Sequence, residues 1–171
     1  MSLILAAQTG PRRIQRCRTP GWRLADVSIN PLGVVYVGRR PGSRWHNPFK
    51  VVAEGRQWRV IDTEGRSSAL RDDPQLAPDQ HLARVMATRL FELHTRPLGL
   101  YAYSDGDLSA LRAELAGRDL MCWCPPPEPG EIDYCHAAVL LRLANNAQHV
   151  DDRLTTNTRE ITVPVLESKE G

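Results

Sequence analysis

Three of the chain's four cysteines and a histidine fall within one short window that could hold a metal ion. The stretch MCWCPPPEPGEIDYCH places Cys122 and Cys124 two residues apart and Cys135 directly before His136. If the first pair lies on a strand, both thiols point to the same side, because side chains alternate between the two faces of a strand. Three thiolates and one imidazole are a ligand set that Zn²⁺ accepts in tetrahedral geometry. We therefore predict a zinc site formed by Cys122, Cys124, Cys135 and His136, which requires sulfur separations below about 6 Å.

Two other interpretations of this window stay open. Cys135 stands where a helix is predicted to begin, and the unpaired amides and dipole of a helix N-terminus lower the pKa of a cysteine. In that case Cys135 would be a catalytic thiolate and His136 its proton partner. Alternatively, the cysteines are small buried hydrophobic residues at the end of a strand.

A second candidate site is the basic first quarter of the chain. Between Pro11 and Trp45 there are eight arginines and one acid, Asp26, so this segment carries +7 and the rest of the chain −5, for a formal total of +2. Arginine offers a planar fork for phosphate, tryptophan a face for base stacking, and asparagine a partner for a base edge. We expect a nucleotide or nucleic acid to bind here; the alternative is a solvated arginine-rich face with Trp45 and Phe49 in the core. The predicted ligand-binding residues are Arg16, Arg18, Trp22, Arg23, Arg39, Arg40, Arg44, Trp45, His46 and Asn47.

Both candidate sites follow segments that are predicted to be strands. β-Branched and aromatic residues from Gly33 to Arg40 indicate a buried strand leading into the basic loop, and RDLMCWC indicates another. In an α/β sheet, ligands bind outside the carboxyl ends of the strands, so the two sites could meet at one sheet edge. The pattern also predicts a hairpin around Glu54 and Gly55 and a surface loop from Ser67 to Asp79.

Apolar residues at three- and four-residue spacing predict about three helices. In the first, Leu82, Val85, Met86, Leu90 and Leu93 share the face expected to point to the core. Strand, helices, strand and helix in this order favour a small single-domain α/β fold with one layered sheet. The predicted ranges are 80–95 capped by Asp79, 107–115 capped by Asp107 and stopped by Gly117, and a third that begins at 135 or 136 and ends at 145.

Length and composition limit the number of domains and the cellular location that can be expected. A chain of 171 residues with 42% apolar residues can close one modest core. We expect an α/β domain over residues 14–146, a flexible N-terminal arm over 1–13, and a C-terminal tail over 147–171 in which ITVPVL could add an edge strand. No apolar run approaches the roughly 18 residues needed to cross a bilayer, and clustered cysteines are typical of a reducing compartment. A cytoplasmic protein without a membrane partner is therefore expected.

Taken together, these blocks resemble a known family. IQRCRTPGWR, VYVGRRPGSRWHNPF, CWC, and CH followed by VLLRLAN occur in this order between Ile14 and Asn145. They resemble the bacterial and phage family of domains of unknown function numbered 4326 (DUF4326), and the resemblance implies that the blocks form a shared site. Relatives commonly carry glycine where this chain has His46, and an acid where it has Ala138. Any orienting or acid–base role of that acid is therefore expected to be lost here.

Three functions are compatible with these residues. The leading hypothesis is a nucleotide- or nucleic-acid-binding protein with a Cys/His zinc site next to an Arg/Trp-rich loop. The first alternative is an enzyme that acts on a nucleotide-like substrate through a zinc-bound water or a Cys135 thiolate. The second is a phage-type protein-interaction module that uses the basic face without ligand chemistry.

Overall fold

The structure, a computed structural model, describes residues 10–72 and 75–145. The predicted tail over 147–171 with its ITVPVL strand, and the first nine residues of the predicted arm, lie outside these ranges. The strands in the described part are β1 (Arg13–Gln15), β2 (Val34–Tyr36), β3 (Phe49–Glu54), β4 (Gln57–Asp62), β5 (Gln75–Ala77) and β6 (Asp119–Cys122). The helices there are α1 (Leu24–Val27), α2 (Ser68–Asp72), α3 (Gln80–His94), α4 (Asp105–Leu115) and α5 (His136–Asn145).

β1, β6 and β2 form a parallel sheet with β6 in the centre. Ile14 of β1 and Tyr36 of β2 both pair with Met121 of β6. Because the three strands run in the same direction, their carboxyl ends lie at one edge of the sheet. The residues that follow each strand therefore meet at that edge.

β3, β4 and β5 form a second, antiparallel sheet. Glu54 pairs with Gln57 at the end of the β3–β4 hairpin, and Gly55 in the turn has a φ of 61°. Glycine adopts this left-handed conformation at little cost, which is why it suits a two-residue turn. The predicted hairpin is confirmed.

The segment predicted to be a surface loop, from Ser67 to Asp79, contains two elements instead. α2 buries Leu70, and β5 pairs with β4, which places Ala77 in the core. α2 has 5 residues and β5 has 3, too few for the periodicity that reveals longer elements. The α/β class is confirmed, but the described residues form two sheets and five helices rather than one sheet and about three helices.

α3 packs against the antiparallel sheet, and α5 packs against β6 and β1. As predicted, Asp79 caps α3, and its carboxylate accepts a hydrogen bond from the amide of Leu82 at 2.8 Å. The predicted core face is partly wrong, because Leu82 and Leu93 are exposed whereas Val85 and Phe91 are buried. Alanine and threonine side chains complete the buried face. The pattern of large apolar residues alone therefore predicted a buried face of α3 that is rotated by part of a turn from the observed one.

α4 is capped by Ser104 rather than by the predicted Asp107. The Ser104 hydroxyl accepts from the Asp107 amide at 3.1 Å, and the Asp107 carboxylate accepts from the Ser104 amide at 3.1 Å. Such a reciprocal pair satisfies two free amides of the first turn. Asp107 is thus the second member of the cap, and Gly117, with a φ of 72°, lies at the predicted stop.

α5 begins at His136, as predicted, and buries Val139 and Leu140. These residues join Leu120 of β6 and Val37, which follows β2, in one hydrophobic core. This core fixes the end of β6 relative to the start of α5. Those are the two elements that carry the clustered cysteines.

Candidate functional site

The sulfur atoms of Cys122, Cys124 and Cys135 meet at the carboxyl edge of the parallel sheet. The three Sγ atoms lie within 4.8 Å of one another, and those of Cys122 and Cys135 are 3.1 Å apart. Sulfur atoms bonded to a tetrahedral Zn²⁺ at about 2.3 Å lie about 3.8 Å from one another. Small shifts would therefore let these three sulfurs share one ion. The three cysteines are close enough to hold a metal ion.

Regular elements position two of the three cysteines. Cys122 is the last residue of β6, and its carbonyl accepts a hydrogen bond from the amide of Arg16 at 2.7 Å. Cys135 directly precedes α5, and its carbonyl accepts hydrogen bonds from two amides of the first turn. Cys124 lies outside these elements. It follows the end of β6 by two residues and directly precedes the proline-rich segment, residues 125–129.

His136 lies beside the sulfur cluster with its ring orientation fixed. Its Nε2 is 2.9 Å from the carbonyl oxygen of Val37, and its Nδ1 is 3.9 Å from Cys135 Sγ. Because a carbonyl oxygen only accepts, Nε2 carries the proton and Nδ1 keeps a free lone pair. Metal-ligating histidines commonly have this arrangement, with the second ring nitrogen bonded to a backbone carbonyl. Nδ1 is not among the ligand atoms that lie within 4.8 Å of one another, so it would have to move closer to the sulfurs for His136 to serve as a fourth ligand.

The close approach of the three sulfur atoms shifts their pKa values in different directions. The neighbouring Cys124 raises the pKa of Cys122 to about 11, whereas the pKa of Cys124 is lowered by its neighbours Cys122 and Cys135. The hydrogen bond with Cys122, at 3.1 Å, raises the pKa of Cys135, which is 1% exposed. A buried Cys135 with a raised pKa does not favour the nucleophilic role suggested by its place before a helix. A metal ion bound by all three sulfurs would hold them as thiolates.

The guanidinium of Arg13 holds the proline-rich segment against β1. Its Nε donates to the carboxylate of Asp133 at 2.5 Å, and its terminal nitrogens donate to the carbonyls of Cys124 and Pro125 at 2.8 and 2.9 Å. Nη1 also lies 3.9 Å from Cys122 Sγ, and the side chain is 6% exposed. Burial acts to lower the pKa of Arg13, but Asp133 and the thiols outweigh it and raise the pKa. A permanent positive charge therefore lies next to the sulfur cluster.

The basic loop that follows β2 lies at the same edge as the sulfur cluster. Arg39 donates to the carbonyls of Asn47 and Phe49 at 3.0 and 2.6 Å, which fixes the loop's path. Burial lowers the pKa of Arg39, and the nearby Cys124 and Tyr36 act in the opposite direction. The two candidate sites predicted from the sequence therefore meet.

Arginine and aromatic side chains alternate across the exits of all three parallel strands. The Cζ of Arg16 lies 5.4 Å from the ring centroid of Tyr36 and 5.1 Å from that of Trp123. Arg18 lies 5.0 Å from the Trp123 centroid, and Arg40 lies 5.8 Å from that of Tyr36. We term this set, in the order Arg40, Tyr36, Arg16, Trp123 and Arg18, the Arg–aromatic ladder. Within residues 10–72 and 75–145, none of its arginines lies within 4.0 Å of a carboxylate oxygen.

Trp45 and Asn47 contact the core rather than the ladder. Trp45 is 4% exposed, and its indole N–H donates to Glu114 at 2.6 Å. Asn47 is 6% exposed, donates to the carbonyl of Ala87 and accepts from the amide of Phe49. Because these contacts occupy their polar atoms, we leave both residues out of the proposed binding surface.

The other residues predicted to bind a ligand lie outside the ladder. Arg44 pairs with Asp107 at 2.8 Å. His46 Nε2 lies 3.5 Å from a glutamate of the turn after β4. The turn before α1 contains Trp22, which is half-buried, and Arg23, which is exposed.

Two cavities are separate from the ladder. One of about 260 Å³ lies around Arg59, Asp62 and Arg71, beside the antiparallel sheet. A smaller one of about 80 Å³ borders Cys124, between the proline-rich segment and His81 of α3. Among the helices of the described segments, none is long and apolar enough to cross a membrane.

Fold and site together define a small α/β domain with a three-cysteine cluster beside an arginine-rich surface at one sheet edge. Residues 14–146 match the family described as Domain of unknown function (DUF4326), and the chain belongs to this family. This confirms the resemblance seen in the sequence blocks. Neither the curated proteins nor the solved structures include a match to this chain.

Sequence reasoning missed Arg13, Tyr36 and Trp123 as site residues. Arg13 was assigned to the N-terminal arm, yet it begins β1 and reaches the cysteine loop. The partners of Trp123 depend on which strands flank β6, and no local sequence pattern shows that. The signal that the sequence did contain was the concentration of arginines in its first quarter, because these side chains must contact some other part of the folded chain.

Proposed function

We propose that this protein binds a nucleotide or nucleic acid on a surface organised by a zinc site. The proposed ligands are Cys122, Cys124, Cys135 and His136. The observation that carries the proposal is the approach of the three sulfur atoms to within 4.8 Å of one another, at the edge that also carries the arginines. Keeping these cysteines as thiols requires a reducing compartment, so we also propose a cytoplasmic location.

Zinc fits the chemistry of the donor atoms. Soft thiolate ligands favour Zn²⁺ over hard cations such as Mg²⁺ and Ca²⁺, which prefer oxygen. Three thiolates and a neutral imidazole around Zn²⁺ leave an excess negative charge, which the neighbouring Arg13 guanidinium would offset. The hydrogen bond from His136 to Val37 keeps Nδ1 free for the ion.

The metal centre would organise the ladder because the two share a segment of chain. Trp123 lies between two proposed ligands, Cys122 and Cys124, so fixing both sulfurs restricts the backbone that carries its indole. His136 in turn connects the centre to Val37, which immediately follows Tyr36. Metal binding is therefore expected to hold the aromatic members of the ladder in position.

The enzymatic alternative has less support from the geometry. A thiolate nucleophile needs an exposed, low-pKa cysteine, whereas Cys135 is buried and hydrogen bonding raises its pKa. A catalytic zinc keeps one position open for water, whereas four protein ligands would close the site. We therefore favour binding over catalysis.

Probe binding before and after metal removal tests the proposal. Fluorescence anisotropy of a labelled oligonucleotide, with nucleotides as competitors, is measured on the purified protein, after chelation, and after zinc is restored. We expect affinity to fall at least about tenfold on chelation and to recover with zinc. Unchanged affinity after verified metal removal would contradict the organising role. Absence of binding by every nucleic acid and nucleotide would contradict the ligand class.

A further inference from the structure

We infer that the ligand of the basic edge is a single-stranded nucleic acid that lies along the Arg–aromatic ladder. This inference rests on the proposed function and narrows its ligand from nucleotides and nucleic acids in general to an unpaired strand. Its basis is the alternation of cations and rings from Arg40 to Arg18, with four contacts of 5.0 to 5.8 Å.

The alternation in the ladder matches the alternation in a nucleic-acid strand. A strand presents phosphates and bases in turn, and proteins that bind it combine a cationic track with stacking faces. In the ladder, Arg40, Arg16 and Arg18 are exposed and separated by the rings of Tyr36 and Trp123. A guanidinium that lies over a ring still has a free face and free N–H groups. A base can stack on that face, and a phosphate can accept hydrogen bonds from the N–H groups.

The number of rings in the ladder favours a strand over a free nucleotide. The ladder combines three arginines with two rings, Tyr36 and Trp123, at the exits of β1, β2 and β6. A mononucleotide carries one base, so it can stack on one ring, whereas a strand carries a base for each ring.

The rings distinguish an unpaired strand from a duplex. Bases in a duplex are stacked on one another, so their faces are not accessible to aromatic side chains. Trp123 is 39% exposed at the start of the segment after β6. A duplex would offer the ladder its phosphates alone and would lose the stacking contribution.

Gly38 shows that the backbone is adapted to the position of the Tyr36 ring. A Cβ placed on Gly38 would collide with the phenol oxygen and ring carbons of Tyr36. Glycine therefore leaves room for the ring in this position, and a larger residue at position 38 would displace the phenol end of Tyr36.

Probe competition on the full-length, metal-loaded protein tests the inference. The probes are a labelled single strand of about 12 nucleotides, as DNA and as RNA, a duplex of the same sequence, and ATP and GTP as competitors. We expect the single strand to bind at least about tenfold more tightly than the duplex at equal salt. Mononucleotides at millimolar concentration should displace less than half of the bound strand.

Ladder variants supply the second arm. Trp123→Ala should weaken strand binding about tenfold or more, and removing both Arg16 and Arg18 should flatten the plot of log affinity against log salt by about 1.4. Arg89→Ala, at an exposed arginine of α3, is the matched control and should leave both values unchanged. Metal content and melting temperature are measured on every variant, so that loss of the metal centre is not mistaken for loss of stacking.

Four results would overturn the inference. Equal affinity for duplex and single strand, or ladder variants that keep wild-type affinity, would reject the ladder while leaving the broader proposal intact. Complete displacement of the strand by a mononucleotide would reject the strand as the ligand and support nucleotide binding. If no probe binds, both the proposed ligand class and this inference are contradicted.

Discussion

The side chain of His136 joins the two halves of the site through its hydrogen bond to the carbonyl of Val37, at 2.9 Å. Val37 directly follows β2 and leads to the basic loop, whereas His136 begins α5 beside Cys135. The other ring nitrogen faces the sulfur cluster, 3.9 Å from Cys135 Sγ. This hydrogen bond therefore connects the start of α5, beside the sulfur cluster, to the strand exit that carries Tyr36.

Replacing one clustered cysteine should remove the metal and destabilise the fold. In Cys122→Ser, a hydroxyl replaces a thiolate at the end of β6, so we expect metal content to fall below half an equivalent and stability to fall by about 4 kcal/mol or more. Cys17→Ser is the control, because Cys17 is outside the three-cysteine group and is only half-buried. Equal metal content and melting temperature in the two variants would contradict the assigned ligand set.

Arg13→Lys should weaken metal binding without removing a ligand. Lysine keeps the charge but cannot bond Asp133, Cys124 and Pro125 at once, so we expect stability to fall by about 2 kcal/mol and metal affinity by about tenfold. Arg118→Lys is the control, because Arg118 is exposed. Chelator competition and urea unfolding provide the two values. Matching behaviour of both variants would disprove the role given to Arg13.

Asp119 should make the fold sensitive to acid. Burial acts to raise its pKa, but hydrogen bonds from Ser28, the Arg12 amide and Asn30 outweigh it, so the pKa lies below its usual value. The charged carboxylate therefore stabilises the fold above the usual aspartate pKa of about 4, and this contribution is lost as the pH falls through the lowered pKa. Asp119→Asn should cost about 2 to 4 kcal/mol at neutral pH, and its difference from wild type should shrink in acid.

Urea unfolding at neutral and acidic pH measures this effect. Asp26→Asn, at an exposed position of α1, is the control and should change stability by less than about 0.5 kcal/mol at either pH. A constant difference between Asp119→Asn and wild type across the pH range would show that the carboxylate's charge is not what stabilises the fold.

Trp45→Phe should affect stability and spare ligand binding. The indole N–H donates to Glu114 at 2.6 Å, and phenylalanine loses this bond while retaining the aromatic contact with Tyr103. We expect a loss of about 1 to 2 kcal/mol in thermal unfolding and strand affinity within about twofold of wild type. A loss of affinity as large as that of Trp123→Ala would return Trp45 to the binding surface.

The long helices could be predicted from the sequence, but the strand order could not. α3 and α5 repeat their apolar residues over 15 and 10 residues, which is long enough to show a helical period. β1 has 3 residues, and its Ile14 pairs with Met121 in a distant part of the chain. No local pattern specifies such a pairing, so the sequence indicated neither β1 nor the division into two sheets.

The candidate site likewise has a part that the local sequence pattern predicts and a part that depends on the strand order. The spacing of Cys122 and Cys124 predicted two thiols on one side of a strand. β6 ends at Cys122, so Cys124 reaches the sulfur cluster from the segment after the strand. The stacking of Arg16 between Tyr36 and Trp123 depends on β6 lying between β1 and β2. The sequence left open whether Trp45 faces a ligand or the core, because a basic, aromatic loop does not reveal which of its side chains turns inward; Trp45 is buried.

X-ray absorption at the zinc edge, combined with elemental analysis of protein purified without chelator, tests the metal centre most directly. We expect about one zinc per chain, with three sulfur ligands at about 2.3 Å and one nitrogen ligand at about 2.0 Å. His136→Leu should remove the nitrogen and leave the sulfurs. Less than about half an equivalent of metal, or a first shell of oxygen ligands, would contradict the proposed zinc site.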